Sequence, residues 1–251
     1  MSNSDKSWKY WGSEDPYYGV LTSEKFRKEN LSLDRKQEFF LSGEKHINLI
    51  LGFIHNHINP NFTLHKAVDF GCGTGRLLIP LAKQSKEAVG IDISEQMLLE
   101  ASKNCKLESL NNVEFILSTD DLEKLTGSYN FIHSFIVFQH IPVFRGEQII
   151  QNLFNHLAPS GIGVFHITYH RNSSKFRKAV NWLRVQIPYF NNIFNVIQGK
   201  KITEPIMQMN QYSLNRLFSF FQAHGVQKIF TEFTEQEGYC GIIIYVLNKD
   251  S

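Results

Sequence analysis

The segment best suited to holding a ligand is Val68-Asp69-Phe70-Gly71-Cys72-Gly73-Thr74-Gly75-Arg76. Glycines let a backbone pass close beneath a bound molecule, and a helix starting there supplies free N–H groups. The spacing narrows the ligand. A dinucleotide fingerprint needs glycine where Arg76 stands, and no G-x-x-x-x-G-K-[ST] phosphate loop is present. Asp92 follows 17 positions after Gly75, in Gly90-Ile91-Asp92-Ile93-Ser94, where a carboxylate at a strand tip reaches ribose hydroxyls. For proton transfer the candidate is His140, with His166 and His170 behind it, since histidine titrates in the useful range. His55 and His57 stand two apart on one helix and so do not share a face. Cys72, Cys105 and Cys240 are far apart and in no ligand spacing, so neither a metal site nor a disulfide framework is expected.

The glycine string requires a strand before it and a helix after it. Short apolar runs at His65 to Phe70, Glu87 to Ile93, Val113 to Leu117, Tyr129 to Val137 and Ile162 to Tyr169 predict strands, and amphipathic stretches Arg76 to Gln84, Glu95 to Leu107 and Val143 to Leu157 predict helices. Such alternation demands a parallel sheet with helices on both faces. Ser94 and Ser213 are expected N-caps, Pro142 opens a helix, and Pro80 conflicts with its own. An earlier helix is read from Ser42, on the stripe Ile47, Ile50, Leu51, Ile54 and Ile58. After the helix of Leu214, Leu217, Phe218 and Phe221, runs 226–233 and 240–247 are joined too tightly to be anything but antiparallel. Residues 1 to about 31, with Trp8, Tyr10, Trp11, Tyr17, Tyr18 and Phe26 but no periodicity, read as an arm, in which Trp11, Tyr17 and Tyr18 could fold over a ligand.

Asp69, Gly71, Gly73 and Gly75 resemble the glycine motif of class I S-adenosylmethionine-dependent methyltransferases, and the resemblance extends along the chain. It implies that Asp92 binds the ribose pair, with Ile93 and Met97 beside it, and that the acidic turn Ser118-Thr119-Asp120-Asp121-Leu122 meets the adenine amino group, through Asp120 first and Asp121 second. Ser134-Phe135 through His140-Ile141-Pro142 is similar to the family segment that passes the methionine end and closes on a histidine; Leu157-Ala158-Pro159-Ser160-Gly161 resembles the turn before the fifth strand, with Ser160 in place of glycine. The implied cofactor site is therefore Asp69, Gly71, Cys72, Gly73, Gly75, Asp92, Ile93, Met97, Asp120, Asp121, Ser134 and Phe135, with His140 as the catalytic candidate. The implied fold is α/β: a Rossmann-like seven-stranded sheet, mostly parallel with an antiparallel C-terminal strand, helices on both faces. Its expected organisation is an arm or lid and helix at 1–45, the methyltransferase domain at 46–170 and 206–251, and a helical insertion at 171–205 that caps the acceptor.

The bulk composition limits the partner. The chain has 251 residues, 42% hydrophobic and 20% charged, with a formal charge of only +2. No strong field favours nucleic acid or an anionic membrane, so a small-molecule acceptor, a metabolite or a sugar, is expected, methylated at oxygen or nitrogen by in-line displacement. The polar start and the want of an apolar run near 20 residues point to a soluble, cytoplasmic protein. Arg171, Lys175, Arg177, Lys178 and Arg184 could recognise an acidic acceptor or form a solvated face. Two rival readings are a nucleotide-linked oxidoreductase and a cofactor-binding protein without turnover.

Overall fold

The computed structural model describes residues 3–172, 192, 195, 201–236 and 238–249. Seven strands form one sheet in the order β3-β2-β1-β4-β5-β7-β6. They are β1 (Lys66–Phe70), β2 (Glu87–Asp92), β3 (Val113–Leu117), β4 (Tyr129–Ser134), β5 (Leu157–Arg171), β6 (Ile229–Gln236) and β7 (Tyr239–Leu247). The first five are mutually parallel; β7 runs antiparallel to both β5 and β6. The order turns back at β1 and β4, which opens a crevice at the C-terminal ends of those strands.

Alternation along the strands builds two cores. Val68, Phe70, Ile132, Phe165, Ile242 and Ile244 face one side, packed with residues of α6 (Val143–Asn155) and α7 (Leu214–Ala223). Ala67, Phe131, Val164, Ile243 and Tyr245 face the other, under α3 (Leu33–His57). Helix α3 starts nine residues before the expected Ser42, because Ser32 caps it by accepting from Arg35 N at 3.3 Å. Gly43 allows α3 to sit on the glycine loop: a Cβ there would lie 2.1 Å from the Arg76 carbonyl oxygen.

The helices that follow β1 and β2 are α4 (Leu78–Gln84) and α5 (Glu95–Leu107). The conflict at Pro80 disappears because α4 begins at Leu78, which places Pro80 in the first turn, where no N–H is needed. Ser94 and Ser213 cap their helices as expected. Ser160 takes the left-handed φ of 57° that glycine would fill without strain.

The N-terminal segment is not the structureless arm its sequence suggests. It forms α1 (Asn3–Glu14), α2 (Pro16–Val20) and a short 3-10 turn at Glu24–Phe26. Trp11 and Tyr18 bury against Met97 of α5, and Tyr17 packs with Phe26 and Phe39. Tyr17 Oη donates to Glu100 Oε1 at 2.8 Å and accepts from Asn104 Nδ2 at 3.1 Å. Arg27 lies 3.5 Å over the Tyr18 ring and pairs with Asp15 at 3.5 Å and Glu204 at 3.2 Å, all three side chains largely buried. Losing one member would strand buried charge at a cost of about 3 kcal/mol or more. Of the expected insertion, the helical pattern of Phe176, Val180, Leu183 and Ile187 and the cations Lys175, Arg177, Lys178 and Arg184 lie outside the described residues. Arg171 is described, and its guanidinium lies 4.7 Å over the Tyr239 ring. Among the described residues, no helix is long and apolar enough to cross a membrane.

Candidate active site

The crevice at the strand ends is a cavity of about 480 Å³. Its floor is the glycine loop. Gly71, Gly73 and Gly75 have φ of 76°, 53° and 90°, a run that only glycine adopts without strain. A Cβ on Gly71 would stand 2.3 Å from Val137, and one on Gly73 would stand 2.5 Å from Val20 of α2. Gly75 does not line the cavity; it packs toward Ala101 of α5 and serves the turn.

The expected acids take distinct places. Asp92, at the tip of β2, accepts from Gly73 N and from Ser94 N, both at 2.9 Å, which ties the loop to the next strand. Its burial outweighs those bonds and pushes its carboxyl up to about 6. Asp120 lines the cavity with both carboxylate oxygens held by Arg145, whereas Asp121 is exposed and lies outside it. Asp69 is buried on the wall and accepts from His133 Nδ1 at 3.1 Å, and His133 in turn meets His46 at 3.2 Å.

Cys72, Ile93, Met97 and Phe135 also line the cavity, but Ser134 does not; its hydroxyl is spent on the Phe70 carbonyl at 3.0 Å. Between Phe135 and Val137 the chain passes through Ile136 at φ 55°, a strained position for a β-branched residue and one that lies on the cavity wall.

The histidines divide as well. His140 lines the cavity with both ring nitrogens engaged: Nδ1 donates to the Gln208 carbonyl at 2.7 Å, and Nε2 accepts from the Gln139 amide at 3.2 Å. Burial lowers its pKa to about 4, so the ring is neutral. His166 is also lowered to about 4, by burial and then by His133. Its Nε2 meets Thr234 Oγ1 at 2.9 Å, while its buried Nδ1 has no partner. His170 is exposed, just past the shift in register at Thr168.

The arm closes this space, though not through the aromatics singled out in the sequence. Trp11, Tyr17 and Tyr18 are absorbed into packing, and it is Ser4, Asp5, Trp8 and Gly19 to Thr22 that face the cavity. Trp8 meets the His140 ring edge-on at 4.9 Å. Sequence reasoning also missed Arg145, Gln139, Thr168, Met207 and Met209 on the wall. Arg145 falls inside the expected helix Val143 to Leu157 and Gln139 inside the segment that closes on His140, neither singled out, and Thr168, Met207 and Met209 carry no motif.

Residues 67–161 match the family described as a methyltransferase domain. The chain carries a class I S-adenosylmethionine-dependent methyltransferase domain. The chain is 40% identical over 87 residues to the chloroplastic magnesium protoporphyrin IX methyltransferase of Arabidopsis thaliana, covering 34% of this chain and 27% of that protein. It is 30% identical over 116 residues to a ubiquinone biosynthesis O-methyltransferase of Methylococcus capsulatus, covering 46% and 48%. The chain thus spans about half or less of the length of these relatives. In fold it is similar to magnesium protoporphyrin IX methyltransferase from Synechocystis with bound S-adenosylhomocysteine, at a TM-score of 0.66 and 18% identity, over 99% of this chain and 100% of the other. The N-methyltransferase NodS of Bradyrhizobium japonicum, also crystallised with S-adenosylhomocysteine, superposes at 0.60 and 12% identity over 98% and 99%. The methyltransferase domain's cofactor is S-adenosylmethionine, and the glycine loop, which lines the cavity at Gly71 and Gly73 beside the Asp92 carboxylate, suits it.

Proposed function

We propose that this protein transfers a methyl group from S-adenosylmethionine to a small-molecule acceptor. The observation that carries this reading is the continuity of one cavity. It runs from Gly71, Gly73, Asp92 and Asp120 past Phe135 to His166, Thr168 and the turn between β6 and β7, so cofactor and acceptor can meet away from water. The arm and segment 201–212 wall it in, which favours a small acceptor over a polymer. The relatives named for magnesium protoporphyrin and ubiquinone biosynthesis support the same class, and the second supports transfer to oxygen.

S-adenosylmethionine supplies an activated methyl group on a sulfonium. The glycine loop gives the cofactor a backbone without side chains at Gly71 and Gly73 to lie against, Asp92 accepts from the ribose hydroxyls with the lone pairs its backbone bonds leave, and Asp120 marks the adenine end. Phe135, Ile136 and Val137 give the cavity an apolar wall, and Trp8 helps exclude water. A hydroxyl acceptor must give up its proton as the new bond forms. His140 was the expected base, but both of its nitrogens are bound; His166, also on the cavity wall, has a buried Nδ1 without a partner among the described residues, and a small shift of the ring would turn it to an acceptor. Calorimetry with S-adenosylhomocysteine, followed by turnover of methyl-labelled cofactor against a panel of small hydroxyl, amine and carboxylate compounds, tests the reading. Binding without turnover of any of them would favour a cofactor-binding protein, and tighter binding of NAD would favour an oxidoreductase.

A further inference from the structure

Among the described residues, Arg76 is a buried cation that faces the cavity without an anion paired to it. The residue is 5% exposed and lines the wall. Among the described residues its guanidinium makes one hydrogen bond, a long one of 3.5 Å from Nη1 to Ser42 Oγ, and its buried Nε has no partner. The acid that acts on it, Asp69, is taken up by His133 at 3.1 Å. The other titratable groups around it are histidines. His46 feels Arg76, His133 and His166 together, and its ring stacks 4.0 Å from Phe135, which in turn meets His166 at 4.8 Å. Burial keeps His46 and His166 neutral, so neither repels an anion nor supplies one. Burial also draws the guanidinium down to about 10, which still leaves it charged near neutrality. Nor is the backbone free to carry the side chain out to water, because the Arg76 carbonyl lies under Gly43 of α3.

A buried guanidinium is normally paired, and its rigid fork of donors matches a carboxylate. We propose that Arg76 receives a carboxylate inside this cavity, from the amino-acid end of the cofactor or from the acceptor. The inference rests on the reading above in placing two such ligands there.

Calorimetry on the full chain compares S-adenosylmethionine with decarboxylated S-adenosylmethionine, which keeps the sulfonium and the amine. If the cofactor is the source, Arg76→Gln weakens S-adenosylmethionine at least tenfold and leaves the decarboxylated form unchanged, while Arg76→Lys recovers part of the loss. If the acceptor is the source, both cofactor forms bind Arg76→Gln as they bind the wild type. Benzoate then binds the wild-type chain saturated with S-adenosylhomocysteine, seen by saturation-transfer NMR, and fails to bind the variant, with benzyl alcohol as the uncharged control. An equal loss for both cofactor forms, or no change in either with no benzoate binding to the wild type, overturns the proposal and makes Arg76 structural. Should Arg76→Gln fail to fold, the wild type decides: equal affinity for both cofactor forms and no benzoate binding overturn it. A wild-type chain that binds benzoate through Arg76 but binds no cofactor would sink the proposed function and leave the carboxylate site standing.

Discussion

Arg145 grips both carboxylate oxygens of Asp120, through Nη2 at 2.6 Å and Nε at 2.7 Å, and with Nη1 reaches Asp5 of α1 at 2.8 Å. One guanidinium thus joins the Asp120 end of the cavity to the first turn of the arm. Ser4 Oγ adds a bond to the His140 carbonyl at 2.6 Å. The contacts at the N-terminal end of α1 are polar, whereas Trp11, further along, is only 2% exposed. We therefore expect the arm to open from its beginning while the Trp11 end stays docked. Asp5→Asn removes an ion pair worth about 1 kcal/mol, so exchange of amides at 5–10 should rise about fivefold with little change in melting. Hydrogen exchange measures this, and unchanged rates would show that Arg145 does not hold the arm.

Cofactor affinity should depend on pH through Asp92. Burial holds its carboxyl at about 6, and only the ionised form accepts from two ribose hydroxyls at once. Binding of S-adenosylhomocysteine should therefore tighten as pH rises from 5 to 7, by up to about tenfold per unit below the midpoint. Asp92→Asn should bind at least tenfold more weakly at pH 7 and lose this dependence. A wild-type affinity flat across that window would remove Asp92 from the ribose.

Folding stability should depend on acid with the same sign. His46, His140 and His166 are lowered to about 2, 4 and 4, so the unfolded chain binds more protons than the folded one below about 6.5. Stability is complete above that pH and is lost as pH falls toward 4. Asp92, raised by burial to about 6, and Asp15, also raised by burial, work the other way above 3.8, but they are two groups against three. A melting temperature that climbs steadily from pH 4.5 to 7 is expected, and a fall over that range would contradict the burial of these rings.

The sheet was legible because both of its periods are written locally. Strands β1 to β3 and helix α5 fall within a residue of their expected bounds, since apolar alternation and the Ser94 cap sit in the segments themselves. The loop and Asp92 were legible for the same reason, as glycine conformation and strand-end placement are local facts. The arm was not. Its helices gain their burial from α5, α3 and Glu204, which no window of sequence brings together. Arg76 was read only as a departure from a dinucleotide motif, and its want of a partner exists only in three dimensions. His140 and His166 look alike in sequence; what separates them is a backbone carbonyl 68 positions away.

The glycine loop gives a test of cradle against turn. Gly71→Ala and Gly73→Ala both force a side chain into left-handed φ, and their methyl groups strike Val137 and Val20. Each should lower stability by about 1 kcal/mol, from φ alone, and weaken S-adenosylhomocysteine at least tenfold. Gly75→Ala shares the strain, but its Cβ would meet Ala101 at an ordinary 3.5 Å and does not enter the cavity, so it should melt lower yet bind nearly as the wild type does. Equal loss of binding in all three would mean that the loop acts only as a turn.

The two cavity histidines should fail in different ways. His166→Ala removes the ring with the free Nδ1, and for a hydroxyl acceptor kcat should fall by about 10² or more while affinity for S-adenosylhomocysteine stays within about twofold. His140→Ala releases the Gln208 carbonyl and the face under Trp8, so segment 201–212 and the arm should exchange faster, and cofactor affinity should fall with kcat. Because burial keeps both rings near 4, kcat/KM of the wild type should be flat from about pH 5.5 to 8 with respect to these residues. A limb near 6.5 that vanishes in His140→Ala and persists in His166→Ala would return the base to His140 and show that its ring leaves Gln139 and Gln208 in the working enzyme.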